Sequence, residues 1–469
     1  MNGSATAESE VTSLRPFRIC LAFGYANAAT WMVALGTPLV LLAGQLGASP
    51  VEVGLIYSFV FLLLPIQVLA TVGLPRFGYK RQMFVAWSSR ALFLLIPLWL
   101  TLLAPVSPER WMVWALVGSV FGFCFMRALG SCAFMPWLYH LVPDELRGRY
   151  FATDQFLSGI SGLLTLLFCA ALFTWLTPYE AFFWQYTYAI AGAVLAAFFL
   201  LRFPPAPAPA RTSLGHILRM APALCFRSGS FRQYLGFMVT SALLMTAFPP
   251  FAAYYLKVEA GMPMERIMLL SAVLFTGLIG GAWVLRPRLD RIGVKPVWRI
   301  ALLLKMLVFL FWMGMVWGVP GVAVYLPVAY FVFGISLCFW NSAHLKYLVR
   351  VCPEDDQPLA ISTHTAVVGF LGGVAPIVWG WVFRETDAMA GLNQTRFLGY
   401  LGLAVVGQIV LFAWVRRLTS KHRERPGIQM GMPILRPFRY LAHLIHIPTD
   451  VTKAVSHKKE GDESAKRTD

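Results

Sequence analysis

The sequence predicts an all-α membrane protein with twelve transmembrane helices in two pseudo-symmetric six-helix bundles. Three observations carry this. Of 469 residues, 58% are hydrophobic and only 13% charged, against about 25% charged in a soluble domain, and mean hydropathy is +0.65. Apolar runs of the ~20 residues needed to cross a bilayer recur along the whole chain. A short basic turn occurs twice: Arg76-Phe77-Gly78-Tyr79-Lys80-Arg81 is matched 215 residues later by Arg291-Ile292-Gly293-Val294-Lys295-Pro296. The same offset carries Arg90 onto Lys305, and at an offset of 210 Leu141-Val142-Pro143-Asp144 matches Val351-Cys352-Pro353-Glu354. Two matches in the same order, at nearly the same spacing, point to two copies of one membrane unit.

The apolar runs fall at about 18–44, 52–74, 83–104, 111–140, 152–175, 181–202, 231–256, 266–285, 299–317, 321–348, 358–383 and 397–417. Backbone polar groups in lipid must pair internally, so runs of this length are helices, whereas a β-barrel would show short alternating segments. The expected organisation is an N-terminal segment 1–17, a first bundle 18–202, a connector 203–230, a second bundle 231–417 and a basic tail 418–469.

Net charge is +17, but its placement argues for a membrane rather than nucleic acid. One set of alternate loops holds Arg76, Lys80 and Arg81, then Arg147 and Arg149, then Arg286 to Arg299, then Lys346 and Arg350. The other set holds Arg110, Lys257, Arg266, Arg384 and Arg396. The positive-inside rule puts the rich side in the cytoplasm, and an even helix count puts both termini there. The expected location is therefore a plasma (inner) membrane. Residues 1–14 do not resemble a cleavable signal peptide, so the first span is expected to direct insertion. The seven cysteines form no CxxC pair and read as free thiols packed as small hydrophobes, with no disulfide or metal site.

Taken in order, run 1 carries Tyr25, Asn27 and Thr30, with 27 and 30 on one helical face. Such a face either bonds a neighbouring helix or lines a pathway. Arg90 in run 3 and Lys305 in run 9 lie about two turns inside their spans and are expected to snorkel to the interface. Arg127 lies near the middle of run 4, where a charge costs ~2.5–3.5 kcal/mol on insertion scales. Its compensation is either backbone and polar side chains or an anionic substrate, because the acids fall almost entirely in loops and tails. Asp154, at the start of run 5, is the one acid expected inside an apolar run.

Ser158-Gly159-Ile160-Ser161-Gly162 in run 5 and Gly369-Phe370-Leu371-Gly372-Gly373 in run 11 permit close helix approach. The Pro-rich stretch 204–209 ends the first half, and 213–227 reads as a surface helix. Run 7 carries Thr240, Ser241 and Thr246 before Pro249-Pro250, a pair expected to kink it. Run 10 offers Asn341 and His344. His364 in run 11 takes the place of Asp154 at the 210 offset; it is either hydrogen-bonded structure or a proton carrier. In the tail, Leu435, Phe438, Leu441 and Ile445 recur at helical spacing among basic residues, as in an interfacial helix. Asn393-Gln394-Thr395 matches a glycosylation sequon.

The paired halves, the central loop and the basic Gly turns resemble the major facilitator superfamily over most of residues 17–418. The turns are similar to its G-x-x-x-D-[RK]-x-G-x-[RK]-[RK] loop motif. Asp290, Arg291, Gly293 and Lys295 keep the core of it in the second copy, where Arg286 replaces the leading Gly. In the first copy Arg76, Gly78, Lys80 and Arg81 are kept, and Pro75 stands where the acid would be. Arg127 is similar to the fourth-helix Arg of the family's drug antiporters. Its R-x-x-x-G spacing is altered to Arg127-Ala128-Leu129-Gly130, and run 1 has no acidic partner, so the antiport mechanism is not carried over.

The resemblance implies alternating access around a site near the midplane, lined from helices 1, 4, 7 and 10. In this sequence those helices offer Asn27, Thr30, Arg127, Ser131, Thr240, Ser241, Asn341 and His344 for substrate, with Asp154 and His364 as coupling groups. The expected function is a secondary transporter of a small organic solute, anionic or otherwise. It has the lipid bilayer and the solute as partners, acts as a monomer, and needs no cofactor, metal or nucleic acid. The alternatives are export of apolar or amphipathic compounds and a non-transporting assembly or pigment-handling factor on the same fold. An enzyme is not expected: there is no nucleophile–base pair, HExxH, phosphate loop or paired buried carboxylate.

Overall fold

The computed structural model describes residues 14–104, 109–207, 214–226, 229–285, 292–353, 357–384 and 391–418. Twelve helices in it are long and apolar enough to span a membrane. They are α1 (Arg15–Gln45), α2 (Pro50–Phe77), α3 (Tyr79–Leu103), α4 (Arg110–Leu141), α5 (Asp144–Trp175) and α6 (Pro178–Leu201), followed by α7 (Ser230–Val258), α8 (Met264–Leu285), α9 (Val294–Val316), α10 (Leu326–Val351), α11 (Gln357–Phe383) and α12 (Gln394–Arg417). A connector helix, Leu214–Phe226, lies between the halves in sequence. The proposed interfacial helix around 435–445, and Asp290 and Arg291 of the loop motif, lie outside the described residues.

The internal repeat appears in the packing. Within the first six helices α1 packs on α5 and α6, α3 on α4 and α6, and α2 on α4. Within the second six, α7 packs on α11 and α12, α9 on α10 and α12, and α8 on α10. Each pairing of the first half recurs in the second. The halves then meet along two seams, α2 with α11 and α5 with α8. The small residues noted in the sequence lie there: Gly159 and Gly162 face Ile279 and Phe275 of α8, and Gly369 and Gly373 face Leu64 and Leu62 of α2. At Gly54 and Gly380 any side chain would strike a carbonyl, that of Pro376 and of Pro50 respectively. The backbones of α2 and α11 touch at these two points.

Proline places the breaks, because it lacks the N–H that the preceding turn needs. α1 is interrupted at Gly36 before Pro38, α2 at Leu63 before Pro65, α3 at Leu94 before Pro97, and α7 at Thr246–Ala247 before Pro249-Pro250. Each proline strands a carbonyl four residues back, and at Pro97 and Pro376 a neighbouring helix supplies the donor. Ser119 on α4 donates to Phe93 O (2.6 Å), stranded by Pro97. Thr246 on α7 donates to Gly372 O (2.6 Å), stranded by Pro376 within α11. Tyr400 on α12 donates to Leu244 O (2.8 Å), at the end of the first segment of α7.

On the face opposite the basic loops the halves are tied together. Tyr254 on α7 donates to Ala48 O (2.9 Å), and the hydroxyls of Thr37 on α1 and Ser271 on α8 pair at 2.7 Å. Glu52 is 2% exposed there. It closes the first turn of α2 by accepting from Ser49 N and Oγ, and it pairs with Arg110 at 2.7 Å. All the cysteines among the described residues are free thiols, and all but the half-buried Cys225 are buried.

Candidate substrate site

Arg127 lies where the sequence put it, at the middle of α4. The helix runs unbroken through Pro136, so the guanidinium does not reach either surface by an early helix end. Its charge is met in part by backbone. Arg127 Nη2 donates to Val60 O (2.6 Å), a carbonyl in the last turn of α2 before the break at Leu63. A helix C-terminus carries about half a negative charge, so the proline break supplies partial compensation. Trp31 on α1 lies under the guanidinium, 5.2 Å from its ring centre. The Nε is buried and has no hydrogen-bond partner.

Arg90 corrects the sequence expectation. It does not snorkel: it is 1% exposed, enclosed by Trp87 at 4.1 Å and Phe123 at 5.0 Å. Its Nη2 donates to Asn27 Oδ1, which also accepts from Trp87 Nε1 (3.1 Å). Its Nε, too, is buried without a partner. Lys305, the symmetric residue, is likewise 2% exposed, with its ammonium 3.9 Å over the ring of Trp340. Both cations are held on aromatic faces inside their halves. Packing around the span, not depth along it, decides this.

Arg90 and Arg127 belong to one site. Their partners on α1, Asn27 and Trp31, are four residues apart, and on α4 Phe123 precedes Arg127 by four. On the antiparallel α3 and α4, Gly130 lies against Trp87 and Gly122 against Phe93, so Arg90 comes level with Arg127. Two unit charges ~6 Å apart repel by about 3 kcal/mol at an effective dielectric constant of about 20. Arg110 pairs with Glu52, whereas neither Arg90 nor Arg127 has a carboxylate partner among the described residues. Asp154 is further toward the basic loops, with its carboxyl against Gly24 and Oδ1 buried without a partner.

The second half gathers a different cluster, closer to the basic loops than the two arginines. Tyr234 on α7 shares a short hydrogen bond with His344 Nδ1 on α10. Its ring stacks on His364 of α11 at 5.2 Å and 10°, and the two histidines stack at 5.2 Å and 28°. His364 is 2% exposed with both ring nitrogens unpartnered. Asp154 and His364 therefore occupy matching positions by the 210 offset, a half-buried carboxyl and a buried imidazole near the basic-loop ends of their halves.

The remaining sequence candidates are dispersed. Thr30 is wholly buried and donates to Ala189 O of α6 (3.0 Å), packing α1 on α6. Ser131 donates to Arg127 O (2.7 Å) and Thr240 to Gly236 O (2.9 Å), both within their own helices. Ser241 is 3% exposed, and Asn341 is exposed on α10. Sequence reasoning missed Trp31, Trp87, Phe123, Tyr234 and Glu52. The spacing Asn27–Trp31 and Trp87–Arg90 was a usable signal for the first two, since both pairs share a helical face.

In the loop motif, Gly78 (φ 72°) and Gly293 (φ 85°) open α3 and α9 in a conformation only glycine adopts readily. Lys80 Nζ donates to Leu201 O (2.7 Å) and Phe203 O (2.9 Å), capping α6. Arg76 and Arg81 are exposed, and Lys295 is half-buried. Asn393 of the sequon accepts from Arg396 N (3.0 Å) as the N-cap of α12.

A family model described as Major Facilitator Superfamily matches residues 19–341. No curated protein matches the chain. Solved structures share its fold at low identity. The nucleoside transporter NupG matches with a TM-score of 0.59 and 17% identity, over 88% of this chain and 100% of that one. A POT family transporter in complex with 5-aminolevulinic acid gives 0.64 and 11%, over 87% and 97%. A D-xylose-proton symporter gives 0.61 and 14%, over 87% and 97%.

Proposed function

This chain belongs to the major facilitator superfamily, and on that premise we propose that it is a secondary transporter of a small organic anion, working by alternating access. It is an integral, multi-pass membrane protein. The three similar structures are those of a nucleoside transporter, a POT family transporter and a D-xylose-proton symporter, so the fold leaves the solute open. One observation favours an anion: Arg127 is half-buried at the middle of α4, its Nε has no partner, and no described carboxylate neutralises it.

The basic loops face the cytoplasm in this reading. The halves are tied at the opposite face by Tyr254–Ala48 and Thr37–Ser271. Toward the basic loops Met135 and Tyr139 on α4 and Leu345 on α10 are exposed. Ties at that face suit an inward-facing conformation, the state assigned in this reading. Asp154, half-buried, and His364, buried, stand at positions matched by the 210 offset and are the groups through which a proton would couple to the cycle.

The test is ligand-induced thermal stabilisation of purified protein with carboxylates, phosphates and neutral solutes, in parallel on Arg127→Gln. A solute at 100 times its Kd stabilises by ~2.7 kcal/mol. Anions should stabilise the wild type and fail to stabilise a folded Arg127→Gln. Equal responses from both proteins, or stabilisation by neutral amphiphiles alone, would remove the anion reading and favour an apolar substrate.

A further inference from the structure

We propose that Arg90 and Arg127 together form a single pocket for a doubly charged anion, either a phosphate monoester or a short dicarboxylate. This rests on the reading of Arg127 as a substrate anchor and adds to it a second anchor and a charge. The two arginines come level on the packed α3 and α4, and Asn27 and Trp31 on successive turns of α1 hold them. Each spends one Nη2 on a fixed protein acceptor, Asn27 Oδ1 for Arg90 and Val60 O for Arg127. Each keeps a buried Nε–H with no acceptor at all.

Two buried cations side by side repel, and the partial charges on an amide and a helix end do not cancel them. No described carboxylate does so either. A ligand carrying two negative charges cancels both and gives each Nε its acceptor; a monoanion leaves one arginine uncompensated. The walls set further limits. The rings of Trp31, Trp87 and Phe123 lie beside the guanidiniums and exclude water there, which strengthens charge-assisted bonds to a small anionic group. Arg127 is half-buried and Arg90 fully buried, so the ligand reaches Arg127 first and Arg90 reads its second charge.

The experiment measures binding to the purified full chain by calorimetry, with succinate against butyrate and methyl phosphate against methyl sulfate. The wild type should prefer the doubly charged member of at least one pair by about tenfold or more, the worth of one charged hydrogen bond. Methyl phosphate should also bind more tightly as pH rises past its second ionisation near 6, while methyl sulfate does not change. Preference for succinate identifies a dicarboxylate, and preference for methyl phosphate a phosphate ester. In Arg90→Gln the preference should vanish with monoanion binding retained; Arg90→Lys, which keeps the charge and loses Nε, should give an intermediate value.

A wild type that binds monoanions and dianions equally, or an Arg90→Gln protein that keeps the preference, overturns the two-arginine pocket and leaves Arg127 as a simple anchor. Anion binding unchanged in Arg127→Gln, or no anion binding at all, overturns the anchor as well. Should Arg90→Gln fail to fold, the wild-type charge series decides alone.

Discussion

Arg90 and Lys305 show how a buried cation can be held without a counter-ion. Each lies over an indole, Arg90 over Trp87 and Lys305 over Trp340, and each is fully enclosed. The resemblance ends with the hydrogen bonds. Arg90 engages Asn27 and keeps a buried Nε without a partner. The second half has no matching cation, since residue 337, opposite Arg127 at the 210 offset, is Leu337. Lys305 therefore reads as packing. Replacing a buried charge with an apolar side chain of similar size is often neutral or stabilising. Lys305→Met should fold with an unchanged or raised Tm in detergent and retain anion binding. A fall in Tm of many degrees, or loss of binding, would give Lys305 a part in the site.

Among the elements, the broken helices carry the most information. A proline in a span strands a carbonyl, and in lipid that carbonyl must find a donor. Here the donor comes from another helix: Ser119 for the break in α3, Thr246 for Pro376, and Arg127 at the broken end of α2. The Thr246–Gly372 bond joins α7 to α11. Thr246→Val should cost ~1–3 kcal/mol by leaving that carbonyl without its donor. In a Pro376→Ala background the helix regains its own N–H and the same change should cost little. A double-mutant cycle on thermal unfolding measures this coupling, and additive effects would show that the hydroxyl is not replacing the missing amide.

These breaks also mark the reach of the sequence. Their positions were legible, because Pro249-Pro250 punctuates an apolar run visibly. Their donors were not, because Thr246 and Gly372 are 126 residues apart and nothing in a one-dimensional pattern relates them. The burial of Arg90 was hidden for the same reason. Two turns into a span is a depth from which an arginine can reach water, and only the packing of α4 against α3 brings the Phe123 ring to its guanidinium. The Tyr234–His344–His364 stack needed three helices to be set side by side.

On the scale of the whole molecule the repeat was legible because charge and turn chemistry survive in both copies. Gly78 and Gly293 adopt the same positive φ at the start of α3 and α9. The departures from symmetry are where the chemistry lies. The first half places two arginines at its centre; the second places neutral aromatic and imidazole rings one level closer to the basic loops. The molecule is thus electrically lopsided about its own pseudo-two-fold axis. Loaded with a dianion, the centre of the first half is neutral. Unloaded, it holds two positive charges within the bilayer.

That asymmetry makes the carrier's two reorientations differ in how they sense membrane voltage. A potential of 100 mV acts on each elementary charge carried across it with ~2.3 kcal/mol. The return of the vacant carrier moves charge through the field, whereas the loaded passage moves almost none. In proteoliposomes an imposed potential should therefore alter net uptake, which requires the vacant return, and leave one-for-one exchange unchanged. Exchange that responds to voltage as strongly as net uptake would mean that the arginine charges are cancelled inside the protein. The lone pair of arginines would then set no electrical rhythm to the cycle.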